Sequence, residues 1–191
     1  SRTQGFMLYS GIGCGTDMSC VGLSIFDFQE RKAVNIGGKD YTVPQALGLQ
    51  QYGKVYLSLG INELGYHNDQ GFYESWCQAI DQIRQVQPHA VIYIQALIPL
   101  NEEVIAQTGG ASYLENEHLR VYNSLLQQVA QEKQVVYLDV YSAYVNEDGQ
   151  LPKEASSDGI HLRKEGCEQW LEYLKTHTVS QESLYQTEEN I

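Results

Sequence analysis

What this chain of 191 residues lacks already narrows its role. No apolar run approaches the roughly 20 residues a membrane helix requires, so no segment reads as a bilayer span. Its four cysteines, Cys14, Cys20, Cys77 and Cys167, form no C-x-x-C pair. No cysteine, histidine or carboxylate cluster sits at ligand spacing, so neither a metal nor another cofactor is expected. Basic residues are few: 12 Lys and Arg against 24 Asp and Glu give a net charge of −12. That field repels phosphate backbones over roughly a Debye length, about 8 Å at physiological salt. Nucleic acid is therefore not an expected partner, and a neutral or cationic small molecule or a glycan ester suits the surface better. Low-complexity tracts, internal repeats, a recognisable secretory leader and a long apolar lid of the kind bulk-lipid lipases carry are also missing.

What is present reads as one domain with a real core, since 42% of residues are apolar. Apolar strand-like runs at 54–60, 90–97 and 135–140 alternate with helical patterns. Trp76, Ile80, Ile83 and Val86 recur at helical steps over 72–86, as do Leu119, Tyr122, Leu126 and Val129 over 116–132, and Trp170, Leu171 and Leu174 over 164–176. Thr42 and Pro44 open a short helix through Leu49, and Ser19–Gly22 reads as a short strand ending on glycine. Continuous apolar strands separated by helices predict a three-layer α/β/α sandwich around a mostly parallel sheet. Cys77 and Cys167 fall within helices and are expected as buried thiols, while Cys14 and Cys20 are close enough for a local disulfide in an oxidising compartment. The polar stretch 178–191 is expected as a C-terminal extension, either a late helix or a frayed tail.

Chemistry-bearing residues fall where strands should end, which in such sheets is the ligand edge. Ser1 offers a hydroxyl, Gly22 a backbone N–H, Asn62 a side-chain amide, and Asp158-Gly-Ile-His161 a carboxylate and an imidazole three residues apart. Together they are the parts needed to attack an ester carbonyl and hold the resulting oxyanion. Each has a plainer reading alone: Gly22 as a turn glycine, Asn62 as a cap, Asp158-Gly159 as a turn, and His161 as a structural histidine.

In that order the pieces resemble the blocks of the SGNH or GDSL hydrolases. Ser1-Arg2-Thr3 is similar to the tail of a Gly-Asp-Ser block, Cys20-Val-Gly22 to the second block, Gly60-Ile-Asn62-Glu63 to Gly-x-Asn-Asp, and Asp158-Gly-Ile-His161 to Asp-x-x-His. The resemblance implies a flavodoxin-like sheet and a serine-dependent carboxylic-ester hydrolase acting on short acyl esters such as O-acetyl groups of sugars. Ser1 would be the nucleophile, His161 the general base and acid, and Asp158 its orienting carboxylate, with Gly22 and Asn62 in the oxyanion hole. Glu63 departs from the family's aspartate. The family's first strand, which delivers the serine, is expected upstream of Ser1 or from another peptide. Glu63, Tyr66 and His67 are expected near the substrate cleft, whereas His89, His118 and His177 read as solvated. The Ser-Arg-Thr opening is similar to that of bacterial, extracytoplasmic members, although the residues themselves leave the compartment open. Two other readings stand beside this one. One is a glycan-binding or structural module that keeps the fold without turnover. The other is an N-terminal-nucleophile amidohydrolase, which would need stacked antiparallel sheets.

Overall fold

Five consecutive buried residues, Val91–Gln95, form strand β4 at the centre of the molecule. The computed structural model describes residues 2–179. β4 pairs in parallel with β3 (Lys54–Leu57) on one side and with β5 (Val136–Leu138) on the other. Its side chains alternate between two cores, as a strand buried on both faces requires. Ile92 and Ile94 join Phe72, Trp76, Leu119 and Tyr122 from helices α3 (Asp69–Val86) and α5 (Asn116–Glu132). Val91 and Tyr93 join Phe6 and Trp170 from helices α1 (Arg2–Tyr9) and α6 (Lys164–Thr176). The expected helix–sheet–helix layering is present. Its parallel sheet is not the stacked antiparallel arrangement of an N-terminal-nucleophile hydrolase.

The helices follow from their apolar spacing and their ends. On α3, Trp76, Ile80 and Ile83 are fully buried and Val86 half so, each fully buried one being worth about 1.5–3 kcal/mol. Asn68 caps its start by accepting from the Gly71 N–H at 3.1 Å, and Pro88 follows its end. Across the layer the Phe72 and Tyr122 rings stack at 3.8 Å, tying α3 to α5. Helix α2 (Val43–Leu47) is closed by a capping box in which Thr42 and Gln45 satisfy each other's backbone N–H groups. Helix α4 (Glu102–Gln107) follows β4, capped by Asn101.

Several expectations are corrected. Ser19–Gly22 forms no strand: the segment runs as irregular chain into a turn at Gly22, and the Asp17 carboxylate accepts the Ser19 N–H at 2.7 Å. A strand needs a neighbour, and among the described residues this segment pairs with none. β3 stops at Leu57 rather than Gly60, which adopts φ 139°, a conformation open to glycine alone, and begins the turn that follows. An unforeseen antiparallel hairpin joins β1 (Val34–Ile36) to β2 (Lys39–Tyr41) through Gly37-Gly38, both at positive φ. Among the described residues β3 is a terminal strand of its sheet. All four cysteines are free thiols; Cys167 is buried, but Cys77 is only half-buried. Thr178 and Val179 are held to the sheet by the Tyr56 and Tyr93 hydroxyls, at 2.8 Å and 3.0 Å, and the rest of the expected tail lies outside the described residues.

Candidate active site

Asp158 and His161 stand on the loop entering α6, three residues apart, so local geometry alone brings their side chains together. The His161 Nδ1–H donates to Asp158 Oδ2 at 2.7 Å. Asp158 Oδ1 accepts from the Ser156 hydroxyl at 3.0 Å and from the backbone N–H groups of Ile160 and His161 at 2.9 and 2.8 Å. Burial by itself would raise the Asp158 pKa. The donors from His161, Ile160 and Ser156 together outweigh it and hold the carboxyl well below its ordinary range. An ionised carboxylate can only accept, so the proton sits on Nδ1 and Nε2 is left as the basic nitrogen.

The loop around the pair is tightly fixed. A bridge between Ser156 and Leu162 pinches its base. Gly159, at φ 77°, presents its carbonyl to the Asn101 N–H at 2.9 Å, and a Cβ there would lie 2.4 Å from the Asn101 oxygen. From α1, the Arg2 guanidinium donates to the carbonyls of Ile160 at 2.7 Å, Ile98 at 2.7 Å and Pro99 at 3.2 Å. Enclosure lowers the Arg2 pKa to about 10, against the pull of Asp158.

The other side is built from two irregular segments. Gly22 sits in an exposed turn at φ 68°, and Arg31 donates to its carbonyl at 2.6 Å and to that of Val21 at 3.1 Å. Asn62 lies in the 3₁₀ turn Ile61–Tyr66 after β3, and its Nδ2 donates to the Leu23 carbonyl at 2.9 Å. An amide carries two such hydrogens, so one remains for a ligand. This bond ties the Gly22 segment to the Asn62 segment.

Glu63 lies behind them, wholly buried rather than at the cleft. Its carboxylate accepts the Ile25 N–H, and its carbonyl accepts the Tyr122 hydroxyl at 3.0 Å. Burial pushes its pKa up, against the pull of the Ile25 N–H and the Ser24 hydroxyl. His118 is also buried, contrary to expectation. It faces inward from α5, with Nδ1 3.0 Å from the Leu64 carbonyl and Nε2 2.7 Å from Asp69. The His67 ring stacks on His118 at 5.0 Å, and the exposed Tyr66 ring meets Phe26 edge-on at 5.5 Å.

His161, Gly22 and Asn62, together with Arg2 and Thr3, line one cavity of about 1000 Å³ that extends along β3. Glu63, Tyr66 and His67 do not line it. Ser1, the expected nucleophile, lies outside the described residues. The arginine that fastens the Asp158–His161 loop is not legible in the sequence, because backbone carbonyl acceptors leave no side-chain pattern. Among the described residues no group of three or more His, Cys, Asp or Glu is placed to hold a metal ion, and no helix is long and apolar enough to cross a membrane.

The profile of the GDSL-like lipase/acylhydrolase family matches residues 27–169, and the chain belongs to that family. Solved esterases share its fold. A Streptococcus pneumonia protein provisionally called a platelet activating factor superposes with a TM-score of 0.59 at 25% identity, covering 65% of this chain and 58% of its own. A peptidoglycan O-acetylesterase superposes at 0.51 with 21% identity, over 73% of this chain and 39% of its own. An acetyl xylan esterase reaches 0.60 at 14% identity, over 83% of this chain and 77% of its own. The chain thus spans under two thirds of the first two structures. No curated protein matches it.

Proposed function

We propose that this protein is a serine-dependent carboxylic-ester hydrolase that removes short acyl groups, such as O-acetyl groups of sugars. The observation that carries the reading is the Asp158–His161 pair. Its carboxylate is satisfied by four donors, and its imidazole opens on the cavity that Gly22 and Asn62 also line. Ser1 is bonded directly to Arg2, which is fastened to the residue preceding His161.

The Ser1 hydroxyl attacks the acyl carbonyl while His161 Nε2 takes its proton. Asp158 holds the Nδ1–H tautomer and stabilises the imidazolium. The free hydrogen of the Asn62 amide and the Gly22 N–H meet the oxyanion, each such donor being worth about 3–4 kcal/mol of barrier. His161 then protonates the departing alcohol, and water, activated by the same nitrogen, releases the acid and regenerates Ser1. The acetyl xylan esterase and the peptidoglycan O-acetylesterase lend support to acetyl esters on glycans, and the net charge of −12 favours a neutral substrate.

Hydrolysis of p-nitrophenyl esters from acetate to octanoate, and of an acetylated xylan, tests this directly, with Ser1→Ala and His161→Ala alongside. The expected result is a rate falling with chain length and lost in both folded variants. Equal background rates in all three proteins would sink the hydrolytic mechanism and favour a glycan-binding module.

A further inference from the structure

Arg2 has no part in the chemistry above, yet its surroundings are unusual for an arginine. A guanidinium is ordinarily solvated or paired with a carboxylate. Here it is half-buried, and its hydrogen bonds go to three backbone carbonyls from two distant parts of the chain. Ile98 and Pro99 belong to the segment leaving β4; Ile160 belongs to the acid–base loop and immediately precedes His161. Desolvating a cation is costly, and neutral carbonyl acceptors offset that cost only when the geometry is good. Nearby, Phe6 and Trp170 pack at 4.9 Å between α1 and α6, an apolar contact that docks the helix separately from the guanidinium.

We propose that Arg2 is a positioning residue that sets the distance between the start of α1 and His161. It rests on the reading of Ser1, Asp158 and His161 given above. The planar fork holds three carbonyls at once, two from the segment leaving β4 and one from the loop of His161. A lysine ammonium is a point donor on a flexible stem and does not reproduce that plane. Misplacing reacting groups by about 1 Å costs roughly 10²-fold in rate.

The test compares Arg2→Lys and Arg2→Gln with Phe6→Leu, a packing change of α1 that leaves the guanidinium in place. Ester hydrolysis and melting temperature are measured on the full chain, together with the downfield imidazole proton of the Asp158–His161 pair by NMR. The expected result is a kcat for both Arg2 variants lowered roughly 10²-fold, with KM within about twofold and folding intact at the assay temperature. Phe6→Leu should lose melting temperature while keeping kcat and the imidazole signal. The Arg2 variants should also shift or broaden that signal, a readout that does not depend on turnover. If kcat and the NMR signal of the folded Arg2 variants match those of Phe6→Leu, or if neither Arg2 variant folds, the residue is structural and the proposal is overturned. Should Ser1→Ala turn over as fast as the unaltered chain, the hydrolytic reading fails instead, and the imidazole signal alone decides the clamp.

Discussion

The two sides of the candidate site are held in opposite ways. The acid–base loop is fixed by contacts to its own neighbours and by Arg2, with Gly159 pressed so closely on Asn101 that no Cβ fits. The side proposed to hold the oxyanion is an open turn: among the described residues, a Cβ on Gly22 would meet only the Arg31 guanidinium, at 3.8 Å. Its rigidity comes from behind, where Glu63 is buried and accepts the Ile25 N–H, and where the Asn62 amide binds the Leu23 carbonyl. A base must be held in one tautomer and one direction, which demands short, local, charged hydrogen bonds. An oxyanion donor needs direction but also room for a tetrahedral centre to form in front of it.

Breaking each side in turn separates these roles. The largest effect is expected for His161→Ala, a loss of roughly 10⁴-fold or more in kcat, because the base vanishes while binding survives. Asp158→Asn should cost roughly 10²–10⁴-fold, since an amide favours the wrong tautomer. Asn62→Ala should cost about 10²–10³-fold in kcat with little change in KM. Steady-state kinetics on folded protein checks all three, and a change confined to KM for Asn62→Ala would remove it from the oxyanion hole.

Stability sharpens the contrast between the two glycines. Gly159→Ala adds backbone strain to a 2.4 Å clash with a backbone oxygen, and should destabilise by at least about 2 kcal/mol. Gly22→Ala carries the positive-φ strain alone, roughly 1 kcal/mol. Denaturant unfolding of both variants measures the difference, and equal losses would mean that the acid–base loop is no tighter than the turn.

The smallest effect is a pH dependence of opposite sign on the two sides. The Glu63 pKa is raised on folding, so its contribution is complete below the unfolded value of about 4.5 and is lost as pH rises through the folded value. Asp158 is depressed, so its contribution is present above about 3.8 and is lost as pH falls through its folded value. Glu63→Gln should therefore flatten the fall of melting temperature on the alkaline side of 4.5 and leave the acid limb unchanged.

The legible part of the site is the part built from near neighbours. Asp158 and His161 meet because they stand three positions apart on one loop, and their spacing shows this directly. The helices bearing Trp76, Leu119 and Trp170 were likewise visible as apolar periodicity, because a helix face repeats along the chain. Ser19–Gly22 misled, because a strand depends on a partner that is remote in sequence. The hairpin at Gly37-Gly38 has its signal in the glycine pair, which supplies the two positive-φ positions its turn needs. Glu63 had been expected beside the substrate, and its position next to Asn62 could not reveal that the 3₁₀ turn points its side chain inward toward Ile25.

By itself the sequence determined the net negative charge, a sum over composition, and the alternation of strands and helices and the Asp158–His161 pair, which depend on residues within a few positions of one another. Tertiary structure alone decided that Glu63 and His118 are interior struts, that Arg2 grips the loop of His161 across roughly the whole length of the chain, and that Gly22 and Asn62 share one cavity with the imidazole. Those outcomes turn on which backbone carbonyls and cavities the packing brings within reach, and backbone groups are the same in every residue.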